Sequence, residues 1–399
     1  MNAAFEAKLS ADLGALRSAG TYKRLRHLTG PMGARAHMEE AGDVVVLSSN
    51  NYLGLSDDPD VIAAGVAALE KYGAGTASVR FICGTFDIHR ELEAKIASLL
   101  GYEAALSYVS CWAANEGLLP TIAPAGTTLI SDELNHASII DGCRLAGAKK
   151  TRYKHADMAD LEEKLRAAEG TPFVVTDGVF SMEGSIANLP DIVRLAKKYG
   201  AVTIVDDSHG TGVMGATGRG TIEHYGLEGQ IDIVTGTLGK ALGGAAGGFV
   251  AGSAALIDTL VQRSRTQLFS NALPATVAAS AMRAIELLDE RPQLVAKQRA
   301  NVAYFRDGIA RIGFTPLAGP SAIVPIVVGE TAFAIAMSDR LLAEGVFVTG
   351  FGFPVVPEGT ARVRVQISAA LERADLDRAL AAFEKVGRDL GLIGVPASA

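Results

Sequence analysis

The residue with the most chemical potential in this chain is Lys240. It follows Thr235, Gly236, Thr237, Leu238 and Gly239 and precedes Gly243, Gly244, Gly247 and Gly248, so little side-chain bulk surrounds it. A solvated ammonium needs no such clearing, whereas an amine that bonds covalently to a carbonyl does. On this stretch alone, a Schiff-base lysine and an ordinary loop lysine are equally good readings. The glycines themselves are expected to let a bound group and a neighbouring subunit come close.

Other polar residues gather where apolar runs end. Val202–Val205 leads into Asp206, and a carboxylate there is costly unless a cation or strong donor meets it. A protonated ring nitrogen would serve; a helix cap or a salt bridge is the alternative. His209, three residues on, can reach the same group. Thr128–Ile130 leads to His136, which can stack on a planar ring, move a proton, or simply pack. Ser110-Cys111-Trp112 turns into a helix whose N–H groups suit a phosphate or a plain N-cap. Phe173–Thr176 runs into Asp177 and Ser181. Arg362 and Arg364 alternate onto one face of a strand, and Arg364 offers a bidentate fork for a carboxylate if the pair is not merely a surface feature. His27, His37, His89, His155 and His224 lack such settings and read as structural or surface residues. A carboxylate at one strand end and an amine at the next, with an aromatic face and a phosphate cradle, fit a pyridoxal phosphate site.

The elements that must hold these residues alternate along the chain. Strands are predicted at Ala104–Tyr108, Thr128–Ser131, Phe173–Thr176, Val202–Asp206, Ile231–Val234 and Gly248–Ala251. Helices are predicted at Asp87–Leu100, Ala113–Thr121, Ala137–Leu145, Leu161–Ala168, Leu189–Tyr199 and Ala254–Arg265. Apolar strands between amphipathic helices imply an α/β fold with a mostly parallel sheet covered on both faces, and functional residues at its carboxyl edge. Residues 1–48 read as an N-terminal helix and arm, with Ala3–Ser18 suited to a partner subunit. Residues 49–290 form a large domain and 291–399 a small α+β domain, with strands at Ile323–Val328, Val346–Thr349 and Val363–Ile367.

With 399 residues, 49% hydrophobic and 20% charged, the chain can build both domains. A net charge of -7 argues against nucleic acid or an anionic membrane as the main partner. Cys83, Cys111 and Cys143 show no metal-type pairing, so no metal site is expected and a cytoplasmic location fits. No apolar run reaches membrane-spanning length, and the N-terminus lacks a signal-peptide core.

The motifs SNNYLGL (Ser49–Leu55), ASVRFICGT (Ala77–Thr85), SDELNHASIIDG (Ser131–Gly142), TDGVFSMEG (Thr176–Gly184), VDDSHG (Val205–Gly210), GTLGKALGG (Gly236–Gly244) and LFSNALP (Leu268–Pro274) resemble those of the α-oxoamine synthases. These are pyridoxal-phosphate enzymes of fold type I, the aspartate aminotransferase-like fold. The resemblance runs from about Tyr22 to Gly391. It implies that Lys240 carries the cofactor as a Schiff base and later moves the substrate Cα proton. Asp206 would pair with the ring nitrogen, His136 stack on the ring, and His209 with Ser181 bind the phenolic oxygen. Cys111, Trp112 and Thr237 would hold the phosphate, joined by Ser270 and Asn271 from the neighbouring subunit of a homodimer. Arg364 with Asn50 would bind the substrate carboxylate. The implied reaction joins glycine to acetyl-CoA, with a threonine dehydrogenase as candidate partner. Serine with a longer acyl-CoA, a relaxed-specificity synthase, or an aminotransferase are the alternatives. The chain departs from the pattern at Trp112 and at Thr266-Gln267, near the phosphate or the acyl entrance.

Overall fold

The computed structural model describes residues 2–353 and 355–394, so the predicted segments 1–48 and 291–399 include Met1, Pro354 and residues 395–399 outside the described residues. The chain divides into two compact units, Asn50–Gln298 and Met1–Ser49 with Arg299–Ala399.

In the unit Asn50–Gln298, a seven-stranded sheet has the order Ala104–Tyr108, Gly248–Gly252, Ile233–Thr237, Val202–Asp206, Pro172–Asp177, Thr128–Asp132, Lys149–Tyr153. Gly248–Gly252 runs antiparallel to both its neighbours. The other pairings are parallel. The inner strands are buried on both faces, which is why they read as unbroken apolar runs such as Val202–Val205. The flanking helices bury one stripe each. Leu189–Tyr199 turns Leu189, Ile192, Val193, Leu195 and Ala196 inward, is capped by Asn188, and stops at Gly200, where φ is 64°.

Two sheet expectations need correction. The strand predicted at Ile231–Val234 runs from Ile233 to Thr237, because Gly236 continues the ladder opposite Phe249. The Phe249 ring takes the space a side chain at Gly236 would need: an added Cβ would lie 2.4 Å from Phe249 Cζ. The sequence reading also omitted Lys149–Tyr153, whose polar KKTRY pattern belongs to an edge strand paired on one side only.

The second unit holds two small sheets. In one, Arg35–Met38 pairs with Gly42–Val46, which runs parallel to Val346–Phe347 and so joins the N-terminal segment to the C-terminal one. The other has the order Ile323–Gly329, Ala361–Gln366, Thr349–Phe351. The strand expected at Val346–Thr349 is thus divided between the two. Helix Ala3–Ser18 buries none of its residues and leaves Phe5, Leu9, Leu13 and Leu16 exposed. Among the described residues, no helix is long and apolar enough to cross a membrane.

Candidate active site

At the carboxyl edge of the large sheet, the ladder places Asp177 beside Asp206 and Asp206 beside Thr235. Here a cavity of about 220 Å³ opens. Its walls come from the first turns of two helices (Ser110, Cys111, Trp112; His136, Ser138), from the strand ends and following turns (Asp177, Ser181, Asp206, Ser208, His209), and from Thr237 and Lys240.

Lys240 lies just past the strand Ile233–Thr237, in a turn whose base is closed by Leu238 N–H donating to the Gly247 carbonyl at 3.0 Å. Its Nζ is 2.9 Å from His209 Nε2, and His209 Nδ1 is 2.8 Å from the hydroxyl of buried Tyr52. When the lysine is an ammonium it donates to Nε2, which leaves the Nδ1 proton for the tyrosine oxygen.

Each oxygen of the Asp206 carboxylate accepts a hydrogen bond from the protein. Oδ1 takes the Ser208 N–H at 3.0 Å, and Oδ2 takes the Asn115 amide at 2.7 Å, with the Cys111 sulfur at 3.5 Å. Burial and then the Asp206 charge push the Cys111 thiol well up, so it stays protonated. Burial, followed by the same charge, also holds the Asp177 carboxyl well above the usual carboxylate range. Asp177 Oδ2 accepts the His136 backbone N–H at 2.8 Å and so fixes where that histidine sits.

His136 caps the helix Ala137–Leu145. Its Nδ1 is 3.2 Å from the Ser138 backbone N–H and 2.8 Å from Ser138 Oγ. A backbone N–H can only donate, so Nδ1 is an acceptor and the ring proton resides on Nε2. Desolvation by its surroundings lowers the pKa of this ring, although the side chain stands partly open to solvent. The edge of Trp112 meets it at 5.9 Å between centroids and an interplanar angle of 81°.

The fit to pyridoxal phosphate can be tested on the helix Cys111–Ile122. Ser110 caps it, its Oγ accepting from Ala113 N–H and its carbonyl from Ala114 N–H. That leaves the N–H groups of Cys111 and Trp112 at the cavity wall, an anion site at the positive end of a helix. Gly248 lets this helix start so close to the sheet: a Cβ there would lie 2.2 Å from the Cys111 nitrogen. With an amine, a carboxylate, an imidazole face and a phosphate cradle around one cavity, the residues fit the cofactor. The glycines after Lys240 make room for the chain itself, since a Cβ at Gly244 would meet Ser56 at 2.8 Å and one at Gly247 would meet Leu238 at 3.1 Å.

Of the residues predicted from sequence, Cys111, Trp112, His136, Ser181, Asp206, His209, Thr237 and Lys240 line the cavity. Asn50, Ser270 and Asn271 do not. Asn271 instead bridges to Val79, beside the turn Arg80–Gly84. Arg364 belongs to the other unit, where its guanidinium lies 4.7 Å from the Phe351 ring centroid and donates to Gln366 Oε1 at 3.1 Å. Arg362 beside it is buried and donates to the Thr360 carbonyl. His89 is fully buried, with Nδ1 accepting from Phe86 N–H and Nε2 facing the Leu273 carbonyl. The sequence reading assigned no role to Tyr52, Asn115, Ser138, Ser208 or Thr235. Tyr52, Ser138 and Ser208 lie within motifs quoted there and Thr235 precedes Lys240, whereas Asn115 lies inside a predicted helix, and its partners Asp206 and Thr235 are distant in the chain.

A model of the family Aminotransferase class I and II matches residues 42–383. An 8-amino-7-oxononanoate synthase of Symbiobacterium thermophilum is 48% identical over 388 residues, 96% of this chain and 98% of that protein. A mitochondrial 2-amino-3-ketobutyrate coenzyme A ligase of Bos taurus is 48% identical over 383 residues, 95% of this chain and 91% of that protein. Among solved structures, SPT with a PLP internal aldimine matches with a TM-score of 0.92 at 34% identity, covering 97% of this chain and 98% of that one.

Proposed function

Because the chain belongs to the aminotransferase class I and II family and, within it, to the α-oxoamine synthases, PLP-dependent acyltransferases, we propose that it joins glycine to acetyl-CoA, as a glycine C-acetyltransferase (2-amino-3-ketobutyrate CoA ligase) does. The observation that carries this reading is the likeness to the Bos taurus ligase over nearly the full length of both chains. The equal identity to an 8-amino-7-oxononanoate synthase favours a second reading, a relaxed-specificity synthase that accepts a longer acyl-CoA.

In the proposed reaction a bond forms between the glycine Cα and the acetyl carbonyl carbon, and the thioester C–S bond breaks. The Cα proton ends on the departing CoA sulfur, and the product is 2-amino-3-oxobutanoate. Bound PLP supplies the electron sink that makes a glycine Cα–H acidic enough to lose. Lys240, whose Nζ His209 holds, would be the amine for the cofactor's carbonyl and the base at Cα. Asp206 would pair with the ring nitrogen. His136 would stack on the ring and offer Nε2–H to charge developing on the thioester oxygen. The Cys111 and Trp112 N–H groups, with Thr237, would hold the phosphate, and Ser181 with His209 the phenolic oxygen. Arg364 and Asn50 are assigned to the glycine carboxylate. Ser270 and Asn271, which lie outside their own chain's cavity, are assigned to that of a second copy.

A CoA-release assay crossing glycine, serine and alanine with acetyl- to palmitoyl-CoA tests this reading. Glycine with acetyl-CoA is expected to turn over best. A preference for serine with palmitoyl-CoA would overturn the substrate assignment.

A further inference from the structure

Asn115 is 2% exposed and lies one turn after Cys111 on the helix whose N-terminus forms the phosphate cradle. Its amide nitrogen carries two protons, and both have acceptors: Asp206 Oδ2 at 2.7 Å and Ser138 Oγ at 3.0 Å, with the Cys111 sulfur a longer neighbour at 3.8 Å. Its Oδ1 accepts from the Thr235 hydroxyl at 2.9 Å. A carboxylate cannot donate, so this orientation of the amide is set by the network. Ser138 in turn meets His136 Nδ1 through both its hydroxyl and its backbone N–H. One side chain therefore joins the carboxylate assigned to the ring nitrogen to the imidazole assigned to the ring face.

We propose that Asn115 is a positioning residue that holds Asp206 and, through Ser138, His136 in mutual register for the pyridoxal ring. This rests on the assignment of Asp206 to the ring nitrogen. Each group alone has other contacts; Asn115 is what ties their orientations together. The helix whose N-terminus is assigned to the phosphate thus also reaches, one turn later, the carboxylate assigned to the ring nitrogen.

The test uses the full-length protein. PLP affinity is read by fluorescence, cofactor orientation by circular dichroism of its visible band, and folding by thermal unfolding of the cofactor-free form. Asn115→Ala is expected to weaken PLP binding about tenfold, as befits one lost hydrogen bond to a charged group, and to diminish the visible dichroism. Ser138→Ala should weaken binding less, and the double variant no more than Asn115→Ala alone, because the serine acts through the asparagine. If Asn115→Ala does not fold, Thr235→Val, which removes the donor to Oδ1 without changing shape, should give part of the same loss in affinity and dichroism. Unchanged affinity and dichroism in a folded Asn115 variant, or in Thr235→Val where that stands in for it, would overturn the inference. So would strict additivity with Ser138→Ala. Asp206→Asn separates the two levels. If it too leaves affinity and dichroism unchanged, the assignment of Asp206 fails; if it shifts them while the Asn115 variants do not, only the positioning role fails.

Discussion

Lys240 reacts with a carbonyl only as a neutral amine, and His209, 2.9 Å away and tied on its far side to Tyr52, is placed to take its proton. Lys240→Ala should leave a folded protein that still takes up PLP, but borohydride should no longer fix the cofactor to the chain. Intact-protein mass spectrometry checks this; a fixed adduct in the variant would move the role to another amine. His155 makes a different prediction. Its ring packs edge-on against Phe180 at 4.4 Å, with Nδ1 3.1 Å from Asp132 Oδ1 and Nε2 3.2 Å from Ser185 Oγ. Burial alone would lower its pKa, but the Asp132 hydrogen bond and charge, with Glu183 and Glu133, outweigh that and raise it. A raised folded-state pKa means the protonated histidine stabilises the fold. That contribution is complete below the unfolded value near 6.5 and is lost as pH rises through the folded one. The stability gap between the native chain and His155→Gln should therefore be wider at pH 6 than at pH 9, as read from thermal unfolding at each pH.

Among the elements, the start of strand Gly248–Gly252 and the first turn of helix Cys111–Ile122 are packed backbone to backbone. Gly248→Ala should lower stability by about 1–3 kcal/mol, the usual range for overpacking, and displace the helix start. Because that start is assigned to the phosphate, affinity should fall more for PLP than for pyridoxal, which lacks the phosphate; equal losses would place the anion elsewhere. This junction also shows what a sequence can and cannot announce. Lys240, Asp206 and His136 stand out because polar residues at the ends of apolar strands are conspicuous, and the structure gathers all three around one cavity. Asn115 does not stand out. It is one polar residue on a helix, and its partner Asp206 lies 91 residues further along the chain. Strand Lys149–Tyr153 escaped for a related reason: at a sheet edge with exposed lysines, nothing selects the alternation or the apolar run that marks an inner strand.

At the scale of the whole molecule, the assignment of Ser270 and Asn271 to a second copy can be tested by mixing. A Ser270→Ala/Asn271→Ala double variant and Lys240→Ala should each be nearly inactive alone. Refolded together they should recover part of the activity, since one cavity of the mixed pair would be intact; no recovery would confine each site to a single chain. A last consequence concerns the order of events during folding. The turn bearing Lys240 is closed by a hydrogen bond between Leu238 and Gly247, so it is a short loop with a small closure entropy. Its partners are remote: His209 is 31 residues away, and the Asp206–Asn115 bond spans 91. Local loops close early and long-range parallel pairings late. The lysine is thus presented before the cavity exists around it. On refolding, the visible band of covalently held PLP should lag behind the far-ultraviolet signal, so that uptake of the cofactor marks completion of the central sheet.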